Sequence, residues 1–306
     1  MAITMAVGDR LETRLLLEGK VTINGFEVEM VNPGPAPAPI FPLMVTTRPY
    51  DIGELTITNY IIAKDNGVEL MGLPVVPNLF YPLTGVTVNK TAGINTPRDL
   101  EGKKLGVPLG FASNPAVWLR GILAQQFGVD ATSITWVEGP RDSLKDVPYP
   151  RPPKFDRQQG EDLLQMLETG EIDGLVEAGG ESKESDTLAP LVPDAHGLLR
   201  DYLQETGTFP INTVLVMKPE CHDANPGLAD AVIAACYNAR TAYNRDEPDD
   251  SLHQGIHVGT ARSLGLFPRS HGLATHATSI KTLIGYLFEQ ELISRPYSVE
   301  ELFFTD

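Results

Sequence analysis

Short apolar strands alternate with helices between residues 85 and 137, and this order is the strongest constraint on the fold. The sequence predicts strands at 85–90, 104–107 and 134–137, with a helix that begins near Asn114 and ends at Phe127. Strands that alternate with helices are typical of a parallel sheet with helices packed against it. The sequence therefore predicts an α/β protein.

Similar patterns flank this region on both sides. Further strands are predicted at 3–7, 21–30, 68–76, 172–176 and 212–217, and further helices at 11–18, 57–66, 161–168, 225–244 and 279–290. A chain of 306 residues has the length of two domains of ordinary size.

Two proline-rich segments interrupt the alternation. Residues 138–160 contain five prolines and many charged residues, so they predict a long loop. Such a loop is either a flap beside a ligand site or a surface excursion. Residues 33–39 predict a second proline-rich loop, which is either a plain connector or a gate.

The charge of the chain excludes several classes of partner. With 24 basic and 40 acidic residues, the net charge is −16, so the chain lacks the basic surface that nucleic acid or an anionic membrane requires. No stretch approaches the ~20 apolar residues of a membrane helix. The first ten residues lack the positively charged segment followed by an apolar segment that is typical of a secretion signal. We therefore expect a cytoplasmic protein.

Common cofactor and nucleophile motifs are absent. The sequence has no G-x-G-x-x-G, no G-x-x-x-x-G-K-[ST] and no G-x-S-x-G. Cys221 and Cys236 are too few for a zinc site or a disulfide framework. His253 and His257 are four residues apart, which is a weak metal signal without further ligands. The sequence thus requires no cofactor.

Two places carry side chains or backbone suited to an anionic ligand. At residues 110–115 a strand ends, small residues follow and a helix begins, so free N–H groups there favour a carboxylate. Ser113 or Asn114 could equally serve as a helix cap. Asp51 and Glu54 precede a helix together with Thr56, Asn59 and Tyr60. These carboxylates either belong to a site or cap the helix.

Histidines before the last helix are a third candidate. His271 and His276 are either surface or capping residues, or groups that transfer protons.

Several motifs, in this order and spacing, resemble one known family. The tract from Gly93 to Pro108, GINTPRDLEGKKLGVP, is typical of type II periplasmic-binding-protein folds. The chain also resembles the 4,5-dihydroxyphthalate decarboxylase-like proteins through Asp51-x-x-Glu54-x-x-x-x-x-Tyr60, Ala116-Val-Trp-Leu-Arg-Gly-Ile-Leu123, Met166-Leu-x-x-Gly-Glu-Ile-Asp173 and Thr206-Gly-Thr-Phe-Pro-Ile211. The resemblance covers nearly the whole chain.

The resemblance implies an α/β, two-lobed type II periplasmic-binding-protein-like fold with a central inter-lobe cleft. Lobe 1 would be discontinuous and consist of residues 1–88 together with 213–306. Lobe 2 would be inserted at 89–212 and would carry the proline-rich loop at 138–160. The chain would cross between the lobes near 84–90 and 210–216.

The resemblance also implies a function. We expect a cytoplasmic lyase that decarboxylates a small, hydroxylated aromatic carboxylate in the cleft. Glu54 or His271 would supply the proton. The substrate would contact a set of basic, polar and aromatic residues: Arg48, Thr56, Asn59, Tyr81, Ser113, Asn114, Trp118, Arg120 and Asn212. Arg120 lies inside a helix and could instead be a structural ion-pair partner, and the aromatic residues could be core.

This chain departs from the family pattern at several positions. It has Phe80-Tyr81-Pro82 where the family has Phe-Arg-His, and Phe209-Pro-Ile-Asn212-Thr213 where the family has a histidine after Phe-Pro-Ile-Met. A second hypothesis is therefore a small-anion binding protein of the same fold that catalyses nothing. The family allows a divalent metal, although no ligand set here demands one. The expected partner is a small-molecule carboxylate, and a homo-oligomer is compatible with the sequence.

Overall fold

The chain divides into two compact units. The computed structural model describes residues 2–177, 181–244, 248–253, 256–263 and 271–305. Unit 1 consists of the described residues up to Leu79, those within Ile211–Lys281, and those from Tyr297 onward. Unit 2 consists of the described residues within Phe80–Pro210 and of Thr282–Pro296.

The first segment of unit 1 alternates strands with helices. In chain order it forms β1 (Ile3–Ala6), α1 (Leu11–Leu17), β2 (Val28–Val31), a 3-10 helix (Ala38–Ile40), α2 (Phe41–Val45), β3 (Ile52–Thr56), α3 (Ile57–Asp65) and β4 (Met71–Leu79).

The long segment of unit 2 continues this alternation. It forms β5 (Val86–Asn89), β6 (Lys104–Val107), α4 (Asn114–Phe127), β7 (Thr135–Glu138), β8 (Arg157–Gln159), α5 (Leu163–Thr169), β9 (Gly174–Val176), β10 (Leu188–Pro190) and α6 (Ala195–Thr206). Short 3-10 helices lie at Pro82–Gly85, Lys90–Ala92, Pro97–Leu100 and Ala131–Ser133.

The remaining chain returns to unit 1. It forms β11 (Ile211–Met217), α7 (Pro219–Ala224), α8 (Leu228–Asn244), β12 (Leu252–His253), β13 (Ile256–His257), α9 (Val258–Ser263), α10 (Leu273–Glu289) and α11 (Val299–Leu302). From Thr282 onward, α10 is part of unit 2. Within the described ranges, no helix combines the length and apolar character that a membrane crossing needs.

The sheet of unit 1 has the strand order β2-β1-β3-β11-β4. Strand β1 is parallel to both β2 and β3, so the carboxyl ends of these three strands lie at one edge of the sheet. Strand β11 is antiparallel to both β3 and β4. Apolar side chains from the strands and from α1 and α8 form a buried core, which includes Met5, Leu16, Ile52, Leu215 and Val232.

The sheet of unit 2 has the strand order β10-β5-β9-β6-β7-β8. Strands β9, β6, β7 and β8 are parallel, which is what the alternating sequence predicts. Strand β5 is antiparallel to both β9 and β10. Strands β5 and β11 each follow a point where the chain passes from one unit to the other. Each of them is antiparallel to both of its neighbours.

The unit boundaries differ from those expected from the sequence, 1–88 with 213–306 and 89–212. Residues 80–88 lie in unit 2 because β5 pairs with β9 and β10 of that sheet. Residues 282–296 also lie in unit 2, since the Tyr286 ring packs edge-on against Trp118 of α4, with ring centroids 5.7 Å apart.

The proline-rich segment 138–160 contains a strand that the sequence did not reveal. Strand β8 pairs in parallel with β7 and extends the sheet at its edge. Arg157 of β8 also forms an ion pair with Glu138, the last residue of β7, with 2.7 Å between Nη2 and Oε1. The segment is therefore tied to the body of unit 2 at both ends.

Candidate functional site

Buried polar side chains gather at the carboxyl end of β3 in unit 1. Glu54 is fully buried, and Thr56, the last residue of β3, is 7% exposed. Thr213 of β11 is the register partner of both Thr56 and Asn78 of β4. Side chains that lie opposite one another on neighbouring strands share a face of the sheet. Thr56, Thr213 and Asn78 thus form one row across three strands, which we call the polar row.

Oxygen atoms in and beside the polar row lack protein partners. Among the described residues, no hydrogen bond reaches Oγ1 of Thr56 or Thr213 or Oδ1 of Asn78, nor Oγ1 of Thr58 or Oε1 of Glu54. A buried polar atom without a partner costs about 1–3 kcal/mol. Each such atom calls for a partner that the described residues do not supply, and a bound ligand or a water molecule would provide one.

The backbone adds hydrogen-bond donors to the same place. Thr56 is the N-cap of α3, and its side chain makes no capping bond. The first N–H groups of a helix have no partner within the helix, and they favour a negative charge. Threonine hydroxyls and free N–H groups together suit a carboxylate.

Arg10 forms an ion pair with Glu54 next to the polar row. Its Nη2 lies 2.5 Å from Oε2 of Glu54, and the Gly8 N–H donates to the same oxygen at 3.1 Å. The Arg10 side chain is 14% exposed, and its Nε is buried without a hydrogen-bond partner. The sequence analysis did not predict Arg10 as a site residue. Its position just after β1, at the edge where parallel strands end, was the available signal.

His271 is buried in unit 1, not exposed at a helix end. Its Nδ1 accepts a hydrogen bond from the Val76 N–H at 3.2 Å, and its backbone carbonyl accepts one from the Tyr237 hydroxyl. Because Nδ1 is an acceptor, the neutral ring carries its proton on Nε2. His276 is buried as well. The surface interpretation of both histidines is therefore wrong.

A small pocket lies beside His271. It is lined by Thr13, Cys236, Arg240 and His271 together with apolar residues of the core, and it has room for about one water molecule. Arg240 donates from Nη2 to the Val76 carbonyl at 2.7 Å. The backbone N–H and the backbone carbonyl of Val76 are therefore both hydrogen-bonded to buried side chains.

Other residues predicted for this site lie away from the polar row. Asp51 comes just before β3, at its other end, and accepts hydrogen bonds from the Thr4 N–H and hydroxyl and from Lys218. Burial acts to raise the pKa of Asp51, but those hydrogen bonds outweigh it and lower the pKa. Arg48 also precedes β3, and its Nη1 donates to the Glu69 carbonyl at 2.9 Å.

Asn59, Asn212 and Tyr60 lie in the elements that carry the polar row. Asn59 is buried in the first turn of α3, and Asn212 is half-buried in β11 beside Thr213. Tyr60 is fully buried; its hydroxyl donates to the Leu302 carbonyl and accepts from the Gly72 N–H. Burial raises the pKa of Tyr60. Tyr60 thus fixes the C-terminal segment to β4.

In unit 2, Arg120 is held by protein groups. It is 1% exposed, and its guanidinium lies 3.7 Å from the centre of the Phe111 ring. Its Nη2 donates to the Phe111 carbonyl and its Nε to Oε1 of Gln290, both at 2.7 Å. Burial, and then the charge of Arg157, lower the pKa of Arg120. These contacts are structural, but they are hydrogen bonds to neutral groups and ring stacking, not the ion pair that the sequence analysis offered as the alternative, and Nη1 is buried without a hydrogen-bond partner.

The 138–160 segment packs on the turn that precedes α4. Glu138 Oε2 accepts from the Phe111 N–H at 3.0 Å. Gly110 has a φ of +86°, and a Cβ there would lie 2.8 Å from the Asp142 carboxyl carbon. Asp142 accepts hydrogen bonds from the Leu144 N–H and the Tyr149 hydroxyl, and burial raises its pKa. The segment therefore shapes the 110–113 turn.

The remaining predicted contacts in unit 2 are buried. Ser113 is the N-cap of α4 without a side-chain capping bond, and Asn114 is the first residue of the helix. Trp118 is fully buried against Tyr286. The Tyr81 hydroxyl donates to Oε1 of Gln126 at 3.2 Å, and burial raises the pKa of Tyr81.

The structure thus brings some of the predicted residues together and separates others. Thr56 belongs to the polar row, Glu54, Asn59 and Asn212 lie in the elements that carry the row, and His271 bonds to β4 two residues before Asn78. Across the described residues, no three His, Cys, Asp or Glu side chains group as a metal site would need, so we assign no residue to a metal. The side chains of His253 and His257 lie outside the described part of the chain.

Comparison with known sequences supports the resemblance to decarboxylases. A family model described as "NMT1/THI5 like" matches residues 23–147. The 4,5-dihydroxyphthalate decarboxylase of Comamonas testosteroni is 28% identical over 245 residues, which cover 77% of this chain and 73% of that protein. The enzyme of the same name from Pseudomonas putida is 29% identical over 181 residues, which cover 57% of this chain and 69% of that protein.

Comparison with solved structures identifies the fold. The alkanesulfonate-binding protein SsuA of Xanthomonas axonopodis pv. citri, bound to MOPS, has a TM-score of 0.53 at 13% identity, over 99% of this chain and 98% of that one. The periplasmic aliphatic sulphonate binding protein SsuA of Escherichia coli has a TM-score of 0.53 at 14% identity, over 99% of this chain and 92% of that one. The chain therefore has the α/β fold of periplasmic binding proteins, and its sequence resembles the 4,5-dihydroxyphthalate decarboxylases.

Proposed function

We propose that this protein is a carboxy-lyase that decarboxylates a small, hydroxylated aromatic carboxylate. The observation that carries the proposal is the polar row, where buried oxygen atoms without protein partners lie beside Glu54 and the start of α3. The similarity to two enzymes named 4,5-dihydroxyphthalate decarboxylase supports the reaction class.

The reaction sets three requirements for the site. The bond between a ring carbon and the carboxylate breaks, CO₂ leaves, and the bonding electrons stay on the ring carbon, which takes up a proton. The site must hold the carboxylate, deliver that proton and keep water away from the reacting carbon.

We assign the first requirement to the polar row and the start of α3. The hydroxyls of Thr56 and Thr213 and the N–H groups that open α3 would donate to the carboxylate. Asn59 in the first turn of α3 and Asn212, which precedes Thr213 in β11, stay proposed contacts.

Glu54 and His271 are the titratable groups that we propose beside the ligand. We favour His271 as the proton donor, because the Val76 N–H donates to its Nδ1 and Nε2 is then the ring nitrogen that can donate a proton. Glu54 accepts hydrogen bonds at Oε2 from Arg10 and Gly8, so in this arrangement it is an acceptor. In unit 2, we give Tyr81, Trp118 and Arg120 structural roles, and contacts of Ser113 and Asn114 with a ligand stay a prediction from the sequence.

The second candidate function is binding of a small anion without turnover. The neighbours of this fold favour it, since SsuA of Xanthomonas axonopodis is an alkanesulfonate-binding protein bound to MOPS. A site built to hold an anion needs hydrogen-bond donors but no proton donor.

Release of labelled CO₂ decides between the two functions. The purified chain is given 4,5-dihydroxyphthalate and a panel of hydroxybenzoates, each ¹³C-labelled at the carboxylate, with and without a divalent metal ion. We expect release above the rate without protein, and we expect His271→Asn to abolish it while keeping ligand binding. Asparagine retains an acceptor for the Val76 N–H but has no titratable proton. Ligand binding without any release would favour the binding protein.

A further inference from the structure

Arg10 places a guanidinium group within reach of the polar row. The loop that carries it follows β1, which pairs in parallel with β3. Its Nη2 lies 2.5 Å from Oε2 of Glu54 in β3. Glu54 and Thr56 are two residues apart on one strand, so they share a face and lie about 7 Å apart along it. The cation therefore contacts the residue that lies one strand repeat before Thr56, the first member of the polar row.

Contacts within the turn that precedes α1 fix the position of this guanidinium. Thr13 accepts a hydrogen bond from the Arg10 N–H at 3.0 Å, and its hydroxyl donates to the Gly8 carbonyl. A Cβ on Gly8 would lie 2.6 Å from Arg10 Nη1 and 3.0 Å from Cδ of Pro37. Glycine at position 8 thus leaves the space into which the Arg10 side chain folds.

Part of the guanidinium is still available for a ligand. Glu54 engages Nη2, whereas Nε is buried without a hydrogen-bond partner and the side chain is 14% exposed. A guanidinium binds a carboxylate best through two parallel N–H groups, which also fix the orientation of the carboxylate. The buried Nε would gain its partner from such a ligand.

The other arginines predicted to hold the carboxylate have protein partners instead. Arg120 is bonded to the Phe111 carbonyl and to Gln290 and stacks on the Phe111 ring; its Nη1 is buried without a hydrogen-bond partner, but the residue belongs to unit 2 and the polar row belongs to unit 1. Arg48 donates to the Glu69 carbonyl, ahead of β3.

We propose that Arg10 binds the carboxylate of the ligand, and that Glu54 is a positioning residue that orients Arg10. The inference rests on the proposed function in one respect, namely that the ligand is a small carboxylate. It assigns to Arg10 a role that the sequence analysis gave to Arg48 and Arg120, and it removes Glu54 from proton transfer.

Titration of the full chain with 4-hydroxybenzoate and 4,5-dihydroxyphthalate tests the assignment of Arg10. The variant is Arg10→Gln, and the matched control is Arg14→Gln. Arg14 has the same charge, lies in α1 and pairs with Asp9 in an exposed position. We expect Arg10→Gln to weaken binding of at least one of the two compounds about tenfold or more, Arg10→Lys to recover part of the loss, and the control to stay within about twofold of wild type. Unchanged affinity in Arg10→Gln, or no binding of either compound by wild type, overturns the assignment.

Two further variants keep the test valid if Arg10→Gln folds poorly. Gly8→Ala keeps every charge but displaces the guanidinium, so it also weakens binding. The double variant Arg10→Gln/Glu54→Gln avoids leaving a buried carboxylate without its cation. Circular dichroism establishes that each variant is folded. Wild-type affinity in folded Gly8→Ala and in the double variant overturns the assignment as well.

The role of Glu54 is separated by kinetics on whichever substrate releases CO₂. A positioning residue changes KM more than kcat when it is replaced by glutamine, whereas a proton donor changes kcat and spares binding. We expect Glu54→Gln to raise KM about tenfold and to leave kcat within a few-fold. Loss of kcat at unchanged affinity overturns the positioning role. Binding that depends on Arg10 without any CO₂ release supports Arg10 and contradicts the decarboxylase function.

Discussion

Arg120 illustrates why residue type alone does not identify a ligand contact. An arginine two turns into a helix that starts after a strand suits a carboxylate, and the sequence left this role open beside a structural one. Its partners in the structure are Phe111, nine residues before it, and Gln290, 170 residues after it. Pairing over such a separation follows from the tertiary fold, and no local pattern reports it.

We expect Arg120→Lys to reduce the free energy of unfolding by about 2–4 kcal/mol. Lysine cannot donate to Phe111 and Gln290 together, and it stacks poorly on an aromatic ring. Urea unfolding followed by fluorescence measures the loss. Arg141→Lys, at an exposed position of the same unit, is the matched control and should change stability by less than about 0.5 kcal/mol.

Ligand affinity completes the test of Arg120. If this residue is structural, Arg120→Lys binds carboxylates with wild-type affinity once it is folded. An unchanged stability together with weaker binding would instead return Arg120 to the ligand site.

The polar row marks the limit of sequence reasoning at the level of single residues. The sequence analysis named Thr56 as a candidate, because it lies where a strand meets a helix. Thr213 and Asn78 were not assigned to the site, since their place depends on β11 pairing between β3 and β4. A bulge between the paired positions of β4 and β11 shifts this register, and such a shift has no sequence signal here.

At the level of elements, α4 was predicted closely because its ends are marked. Pro115 lies in its first turn, and Gly128 ends it in the left-handed conformation. In contrast, α10 begins at Leu273, six residues before the predicted start at 279. Helix α6 was not predicted, although its amphipathic pattern is present in the sequence.

The contact between α4 and α10 depends on a glycine. A Cβ on Gly121 would collide with three atoms of the Tyr286 ring, which is buried between the helices. We expect Gly121→Ala to destabilise the protein by about 1–3 kcal/mol, although alanine is the better helix former. Thermal unfolding measures the change.

Gly285 in α10 provides the control for this prediction. A Cβ there meets nothing within 4 Å, so Gly285→Ala should be neutral or stabilise by up to about 1 kcal/mol. The double variant Gly121→Ala/Tyr286→Leu removes the ring that the added methyl group would strike, so it relieves the contact. Equal effects of the two single glycine variants would contradict the close packing of Tyr286 on α4.

The 138–160 segment carries a proton-linked contribution to stability. Burial raises the pKa of Asp142, so the folded chain holds this proton more tightly than the unfolded chain does. Stability is therefore lost as the pH rises from the unfolded pKa, near 4, through the higher folded value. We expect Asp142→Asn to stabilise the protein more at pH 7 than at pH 3.5, as measured by urea unfolding at both values.

Asp99 is a control, because its pKa is shifted in the opposite direction to that of Asp142. Hydrogen bonds from the Asn95 and Thr96 N–H groups lower its pKa, so its contribution to stability is present above the unfolded pKa and is lost as the pH falls. Asp99→Asn should destabilise the protein more at pH 7 than at pH 3.5. The same sign in both variants would contradict the burial of Asp142 against Gly110.

At the level of the whole molecule, the fold class was predictable and the unit boundaries were not. The alternation of strands and helices and the motif order sufficed for an α/β fold of the periplasmic-binding-protein type, and comparison with SsuA structures confirms it. The assignment of 80–88 and 282–296 to unit 2 depends on pairing of β5 and on packing of Tyr286, which are properties of the folded chain.

A crystal structure of the protein with bound 4-hydroxybenzoate or 4,5-dihydroxyphthalate is the most direct test of the account. The account predicts carboxylate density at the start of α3, within hydrogen-bond distance of the Thr56 hydroxyl and of the Arg10 guanidinium. Carboxylate density that contacts neither the polar row nor Arg10 would contradict it.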